Sequence, residues 1–369
     1  MISVRAPGRT RFTVRVERRL HVEPRRAALS RIVGLLAGLV VAGIALQISG
    51  RPTMSLLGDV VDANFGNRIG LEETGLIATP ILLDAIAVAI ALRMRIWNIG
   101  VEGQFFMGAW AATGIGIHLD APRPVLLILM ALAGTLAGAL WMLIPAIARA
   151  YWQVNEIITT LLLNFVAIQW VAWFSIDIWR DEAAAVVQAT PPVAARLPML
   201  GNSVILHVGF LAPLLMAPLF WWIFRSSRWG YEVDMIGGNP RSAEFAGINV
   251  RRRILSVMLL SGAIGGLSGM IHLTGATGRL QQTISNAYGL SGFIVAALAG
   301  ASFLGLIAGG LFIALLLHSG IRLQVSGLSV YIVLAIYGVV LVGIAVGTMV
   351  ATYRFHLGRE PLSVERAPP

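Results

Sequence analysis

The chain has 369 residues, of which 57% are hydrophobic and only 12% charged, and its mean hydropathy is +0.79. A soluble domain carries about twice this charged fraction, so the composition excludes a soluble globular protein. The net charge is +10, every basic residue is Arg, and the sequence contains no Lys and no Cys. The absence of Lys excludes a P-loop ATPase and Schiff-base chemistry. The absence of Cys excludes disulfides and thiolate metal sites.

The first 30 residues are rich in Arg and are too long and too charged for the first region of a signal peptide. We expect a retained cytoplasmic tail at residues 1–30, a transmembrane permease domain at 31–350 and a second cytoplasmic tail at 351–369. Within the domain we predict about ten membrane helices, each near the ~20 residues that cross ~30 Å of hydrocarbon. These segments are 32–48, 75–92, 96–119, 125–148, 156–176, 205–224, 254–275, 289–301, 303–320 and 328–348.

The fold class that follows is an all-α polytopic membrane protein, because a transmembrane β-barrel would show short alternating segments instead. The eighth and ninth segments are separated by little more than Ser302, so one long span plus a re-entrant piece is an open alternative. The Arg residues lie mainly in the tails, at the ends of segments two and four, and in a long loop at 225–253. The positive-inside rule then places both termini in the cytoplasm and explains the net charge without nucleic-acid binding.

The third and eighth segments are both interrupted by glycines and polar groups, at residues 97–104 and 288–293. They occupy corresponding positions if segments two to five and seven to ten are two pseudo-symmetric halves. Discontinuous segments in matching positions point to a transport site near the bilayer midplane. Close helix packing through small residues is the simpler explanation for the glycines, but it does not account for Glu102.

Two intramembrane carboxylates are candidates for the substrate pathway. Glu102 could bind backbone N–H groups of its own broken helix and hold the break open, or it could face the substrate. Asp84 lies in the middle of the second segment with no Arg nearby in sequence, and such a residue faces the helix bundle or a wet cavity. Proton coupling through either carboxylate would fit a self-sufficient secondary transporter, which is the alternative function.

Four further side chains complete the predicted pathway set: Asn98, Gln104, Asn164 and Phe293. Asn155 is expected to cap the fifth segment, with Glu156 in its first turn. Asn164 lies two turns further in, so it needs a partner from another helix or from a ligand.

The 225–253 loop contains the signals of a short helix on the cytoplasmic face. Asn239 precedes Pro240, which suits a first helical turn, and Gly247 is placed to end the helix. The predicted helix at 240–246 carries a small apolar face that favours docking to another protein. Its candidate coupling residues are Gly238, Asn239, Pro240, Ala243, Ala246 and Gly247.

The chain resembles the permease subunits of bacterial ABC importers, in the group of ribose and branched-chain amino-acid permeases, and within it the nucleoside and simple-sugar type. The resemblance covers about residues 71–343 and rests on three strings in this order: Asn98-Ile-Gly-Val-Glu-Gly-Gln104, Asn155-Glu-Ile-Ile-Thr-Thr-Leu-Leu-Leu-Asn164 and Gly238-Asn-Pro-Arg-Ser-Ala-Glu-Phe-Ala-Gly247-Ile. In such permeases the third string engages the ATPase and the first lines the pathway. Asp84 and the Ala-Ser-Phe sequence at 301–303 depart from the group's usual pattern.

The resemblance implies a subunit in a bacterial cytoplasmic membrane that imports a nucleoside, a purine-like base or a sugar, without cofactor or metal and without enzymatic chemistry of its own. Its expected partners are an ATP-binding cassette ATPase, a second permease subunit, an extracytoplasmic substrate-binding protein and the lipid bilayer. A secondary transporter would have no use for a docking helix. An intramembrane enzyme is disfavoured because no zinc motif or paired-Asp motif occurs.

Overall fold

The structure is a computed structural model that describes residues 10–19, 23–183, 188–300 and 302–361. Parts of both predicted tails, at 1–9, 20–22 and 362–369, therefore lie outside the described residues. So does position 301, where the sequence predicts the end of the eighth segment.

Within the described ranges the chain is almost entirely helical. The helices are α1 (Pro24–Ile48), α2 (Thr53–Phe65), α3 (Arg68–Leu92), α4 (Val101–His118), α5 (Arg123–Trp152), α6 (Glu156–Trp173), α7 (Leu211–Ser226), α8 (Arg228–Gly238), α9 (Pro240–Phe245), α10 (Val250–His272), α11 (Tyr288–Ala299), α12 (Phe303–Val325) and α13 (Val330–Thr352). Short π-helical turns, Phe174–Ile178 and Leu273–Thr277, extend α6 and α10. Two strands, β1 (Thr10–Arg18) and β2 (Tyr353–Pro361), flank the helices.

Eight helical stretches in the described part of the chain are long and apolar enough to cross a membrane. They correspond to α1, α3, α5, α6, α7, α10, α12 and α13. The all-helical, polytopic class is thus confirmed. The other two predicted spans correspond to α4, with 18 residues, and α11, with 12. Neither is among the eight, so the count of about ten spans stays a prediction.

The chain divides into two compact units, residues 1–57 with 323–369, and residues 58–322. In the first unit α1 packs on α13 so closely that a Cβ at Gly34 would overlap the carbonyl group of Gly343. Strand β1 pairs antiparallel with β2, from Thr10 opposite Pro361 to Arg18 opposite Tyr353. Both strands lie in the predicted tails, so the all-α class of the membrane domain is unchanged. The alternating apolar residues Phe12, Val14 and Val16 are the strand signal.

The region at 50–73, between the first two predicted segments, contains α2 and the beginning of α3. Asn67 caps α3, because its side-chain oxygen accepts a hydrogen bond from the Gly70 N–H at 2.8 Å. The charge of Glu72 is compensated inside the second unit. Its carboxylate lies 2.7 Å from the Arg68 guanidinium and accepts the Val204 N–H at 2.9 Å. The second predicted segment thus begins at Arg68 rather than at residue 75.

The centre of the second unit is built from α3, α4, α5 and α10. In its membrane-spanning window 83% of α3 is buried. Glycines bring α4, α5 and α10 together, since a Cβ at Gly108 would overlap Gly266 and one at Gly138 would overlap Gly262. Backbones that approach this closely tolerate only hydrogen at the contact, as is common where helices associate in membranes.

The 225–253 loop contains two helices, α8 and α9, of which the sequence predicted the second. Asn239 caps α9 by accepting the Arg241 and Ser242 N–H groups at 3.0 and 3.2 Å. Gly247 follows with φ +79°, the left-handed conformation that ends a helix. In α8 the Glu232 carboxylate pairs with Arg253 at the beginning of α10 and with Arg228. The hydrogen bond from Arg253 lowers the pKa of Glu232.

Candidate functional site

The chain between α3 and α4, residues 93–100, is not helical. Backbone hydrogen bonds from Met94, Arg95 and Ile96 to the end of α3 hold its first part, and side chains hold the rest. Asn98 and Gln104 form a reciprocal amide pair, because each donates from its nitrogen to the other's oxygen at 3.0 Å. Asn98 also donates to the Ser261 hydroxyl of α10 at 2.8 Å, and Ser261 donates to the Ala87 carbonyl at 2.6 Å. These bonds attach the beginning of α4 to α3 and α10.

Asn164 of α6 binds the same irregular stretch on its other side. Its side-chain oxygen accepts the Gly103 N–H at 2.8 Å, and its amide nitrogen donates to the Ile99 carbonyl at 2.9 Å. The sequence left open whether Asn164 binds another helix or a ligand. In the structure it binds the protein backbone at Gly103 and Ile99. The capping role of Asn155 is confirmed by its bond from the Ile157 N–H at 2.9 Å.

Glu102, in the first turn of α4, binds the first turn of α11. Its carboxylate accepts the Gly289 N–H at 2.7 Å and the Leu290 N–H at 3.3 Å. The prediction that Glu102 binds the N–H groups of its own helix is therefore wrong: the N–H groups belong to α11. A negative charge at a helix N-terminus is favourable because it meets the positive end of the macrodipole. The approach is close, since a Cβ at Gly289 would lie 2.6 Å from the Glu102 Cα.

Asp84 lies in the middle of α3, opposite α11, and is fully buried. Within the described residues neither of its carboxylate oxygens has a hydrogen-bond partner. Ser268 of α10 comes near it, but the Ser268 hydroxyl donates to the Pro80 carbonyl at 3.3 Å. A Cβ at Gly292 of α11 would lie 2.7 Å from the Asp84 Cβ, so α11 packs directly on α3 at Asp84.

Four of the six predicted pathway residues meet at the beginning of α4: Asn98, Glu102, Gln104 and Asn164. Asp84, on α3, packs against α11, and Phe293 is part of α11. The Phe293 ring contacts Trp97, with centroids 5.8 Å apart. The sequence reasoning missed Ser261 and Ser268, which are seven residues apart and therefore share one face of α10. That spacing is a usable signal, but serine is common in membrane helices and seldom stands out.

The predicted coupling residues divide into two groups. Asn239, Pro240, Ala246 and Gly247 are exposed, as is Gly238. Ala243 is fully buried, which corrects its placement on the exposed apolar face: it packs within the chain and is not available to a partner. Phe245 takes that place with 94% of its surface exposed. An exposed apolar ring on a helix that also carries the charged residues Arg241 and Glu244 is typical of a contact surface.

A cleft of about 530 Å³ lies beside α9. It is bounded by the ends of α5 and α10, and Arg149, Arg241 and Arg251 line it together with Glu244. The charged residues that line the cleft are therefore predominantly basic.

Comparison with known proteins agrees with this architecture. Residues 71–345 match the family described as the permease component of the branched-chain amino acid transport system. The glucose ABC transporter permease of Haloferax volcanii is 32% identical over 83% of this chain and 85% of its own. The guanosine ABC transporter permease of Bacillus subtilis is 30% identical over 80% and 88%. The nucleoside ABC transporter permease of Lactococcus lactis is 25% identical over 79% and 83%. The chain therefore belongs to this permease family and is a transmembrane subunit of an ABC importer.

Proposed function

We propose that this subunit forms half of the pathway for a nucleoside or a simple sugar, a purine-like base being the remaining candidate. The relatives named for glucose and guanosine support this solute class. Both molecules are neutral rings that carry several hydroxyl or N–H donors. Buried carboxylates and amides are suitable acceptors for such donors, and the junction of α4 with α11 contains several of them.

The observation that carries the proposal is the bond from α11 to Glu102, because it joins the two irregular parts of the chain. A helix of 12 residues is about 18 Å long, which is too short to cross a hydrocarbon layer of ~30 Å. We assign α4 and α11 as the discontinuous third and eighth segments of two pseudo-symmetric halves. The pathway then runs past their facing ends, where irregular backbone can line a polar cavity.

The partners that we propose follow from the permease family and, for the ATPase, from the exposed surface of α9. The ATPase binds α9 through Phe245 and Ala246, a second permease subunit completes the pathway, and a substrate-binding protein delivers the solute from outside. ATP binding and hydrolysis occur in the partner, so this subunit has no catalytic residue. We place the complex in a bacterial cytoplasmic membrane with both termini inside, because the arginines are concentrated on that side.

The experiment that tests the ATPase contact is Ala246→Trp, with Phe245→Asp as a second variant. Both residues are exposed, so each variant should still insert and fold. We expect co-purification of the ATPase and stimulated ATP hydrolysis to fall about tenfold or more, as for a central interface residue. Asn202→Trp is the matched control, because Asn202 is exposed on a loop outside the 225–253 region. Unchanged co-purification with both variants would contradict the assignment of α9.

A further inference from the structure

Asp84 is the buried ionisable residue whose position the contacts described above do not explain. Both carboxylate oxygens lack a partner in the described part of the chain, although α3 is the most completely buried of the candidate spans. An ionisable group inside a membrane protein is costly unless something pairs with it. A buried polar group without a hydrogen bond costs free energy in the same way. A partner that is absent from this conformation would remove that cost.

The element that covers Asp84 is short and is bounded by unusual backbone at both ends. Ala287, immediately before α11, has φ +57°, and Gly300, immediately after it, has φ +63°. A left-handed conformation is strained for alanine, and such positions are where a hinge can absorb a change of direction. Between them α11 is attached by the bonds from Gly289 and Leu290 to Glu102, which can be broken without unfolding a helix.

We propose that Asp84 is a solute-binding carboxylate which α11 covers in this conformation and uncovers during transport. This deepens the proposed function and rests on it. The missing partners of Asp84 are donors on the solute. A carboxylate with two free oxygens can accept two of them, such as adjacent hydroxyls of a ribose or hexose ring. Ser268 lies beside it to take part in the same contact.

Gly292 explains how the carboxylate is closed off at rest. The absence of a side chain there lets α11 lie directly on α3, with a virtual Cβ only 2.7 Å from the Asp84 Cβ. Neither water nor solute fits between two backbones at this distance. Phe293 follows next in the chain and contacts Trp97, so a movement of α11 also moves an aromatic face that a ring-shaped solute can stack on.

Cysteine accessibility tests whether Asp84 becomes uncovered, since the chain has no native Cys. The complex carrying Asp84→Cys is reconstituted with its ATPase and binding protein and treated with a membrane-impermeant thiol reagent, at rest and with ATP. Leu82→Cys is the control, because Leu82 is equally buried on α3 but packs against Gly310 of α12. We expect labelling at position 84 to be at least about tenfold faster with ATP, as a minor state becomes dominant, and labelling at position 82 to stay unchanged. Equal rates at position 84 in both conditions would overturn the proposal.

Uptake by Asp84→Asn tests the contact with solute, and the near-identical shape of Asn guards against misfolding. With radiolabelled guanosine and glucose as probes, we expect the maximal uptake rate to fall about tenfold or more, because hydrogen bonds to a charged group are strong. The half-saturating concentration, set largely by the binding protein, should change little. A normal maximal rate would overturn the proposal. If the response to an imposed pH gradient were also lost, Asp84 would be assigned to protons instead.

These readouts separate the inference from the proposed function. If the wild-type complex takes up neither guanosine nor glucose, the proposed solute class is wrong, whereas ATP-dependent labelling at position 84 still tests the uncovering. If the wild type transports one of them and position 84 is never labelled, only the role of Asp84 is wrong.

Discussion

At the scale of single residues, Glu102 connects two helices, α4 and α11. Its carboxylate accepts two N–H groups of α11, and its charge interacts with the helix dipole, an interaction of up to ~2 kcal/mol in a partly buried setting. We expect Glu102→Gln to leave insertion and ATPase co-purification intact but to slow uptake, by up to about thirtyfold for a loss of this size. Asp120→Asn, at an exposed carboxylate, is the control. Wild-type uptake by Glu102→Gln would show that the charge is not needed.

The same residue shows what can be read from sequence at this scale. A carboxylate within a membrane segment is costly, so its importance follows from composition alone. Its partner does not follow, because Gly289 lies 187 residues away in the chain. The partners of Asn164 and Asn98 cannot be predicted from the sequence either, since they lie on other helices and depend on how those helices pack. The tertiary contacts, and with them the roles, needed the structure.

At the scale of helices, glycine contacts decide how α4, α5 and α10 fit together. A side chain at Gly266 would overlap the carbonyl of Gly134, and neither backbone can move without disturbing the third helix. We expect Gly266→Val to lower the apparent melting temperature of the detergent-solubilised subunit, since overpacking costs about 1–3 kcal/mol. Gly338→Val is the matched control, because a Cβ at Gly338 meets nothing within 4 Å. Equal melting temperatures for the two variants would contradict this packing.

The elements differ in how well sequence predicts them. Long apolar runs specify α5, α6 and α12 because hydrocarbon requires a helix of that length. The cap at Asn239 and the stop at Gly247 similarly specify α9. By contrast, α2 is not specified by a long apolar run, because Asp59 and Asp62 interrupt its apolar residues. Strand β1 was missed because the net charge of its region outweighed the alternation of its apolar residues.

At the scale of the whole molecule, the arginine distribution and the terminal strands agree on one feature. Strand β1 precedes α1 and β2 follows α13, and the two strands pair along their full length. Segments that pair in this way lie on the same side of a membrane, so the chain between them crosses it an even number of times. Both the eight candidate spans and a count of about ten meet this condition.

Labelling of single introduced cysteines can decide on which side of the membrane the termini lie, since the native chain has no Cys. Ser55, Asn202 and Ser242 are all exposed and lie in three different connecting regions. Because arginines are concentrated near Ser242 and sparse near the other two, the positive-inside rule places Ser242 in the cytoplasm. We expect an impermeant thiol reagent added to intact cells to label Ser55→Cys and Asn202→Cys, and to label Ser242→Cys only after permeabilisation. Labelling of Ser242→Cys in intact cells would reverse the orientation and would place α9 on the side where no ATPase can reach it.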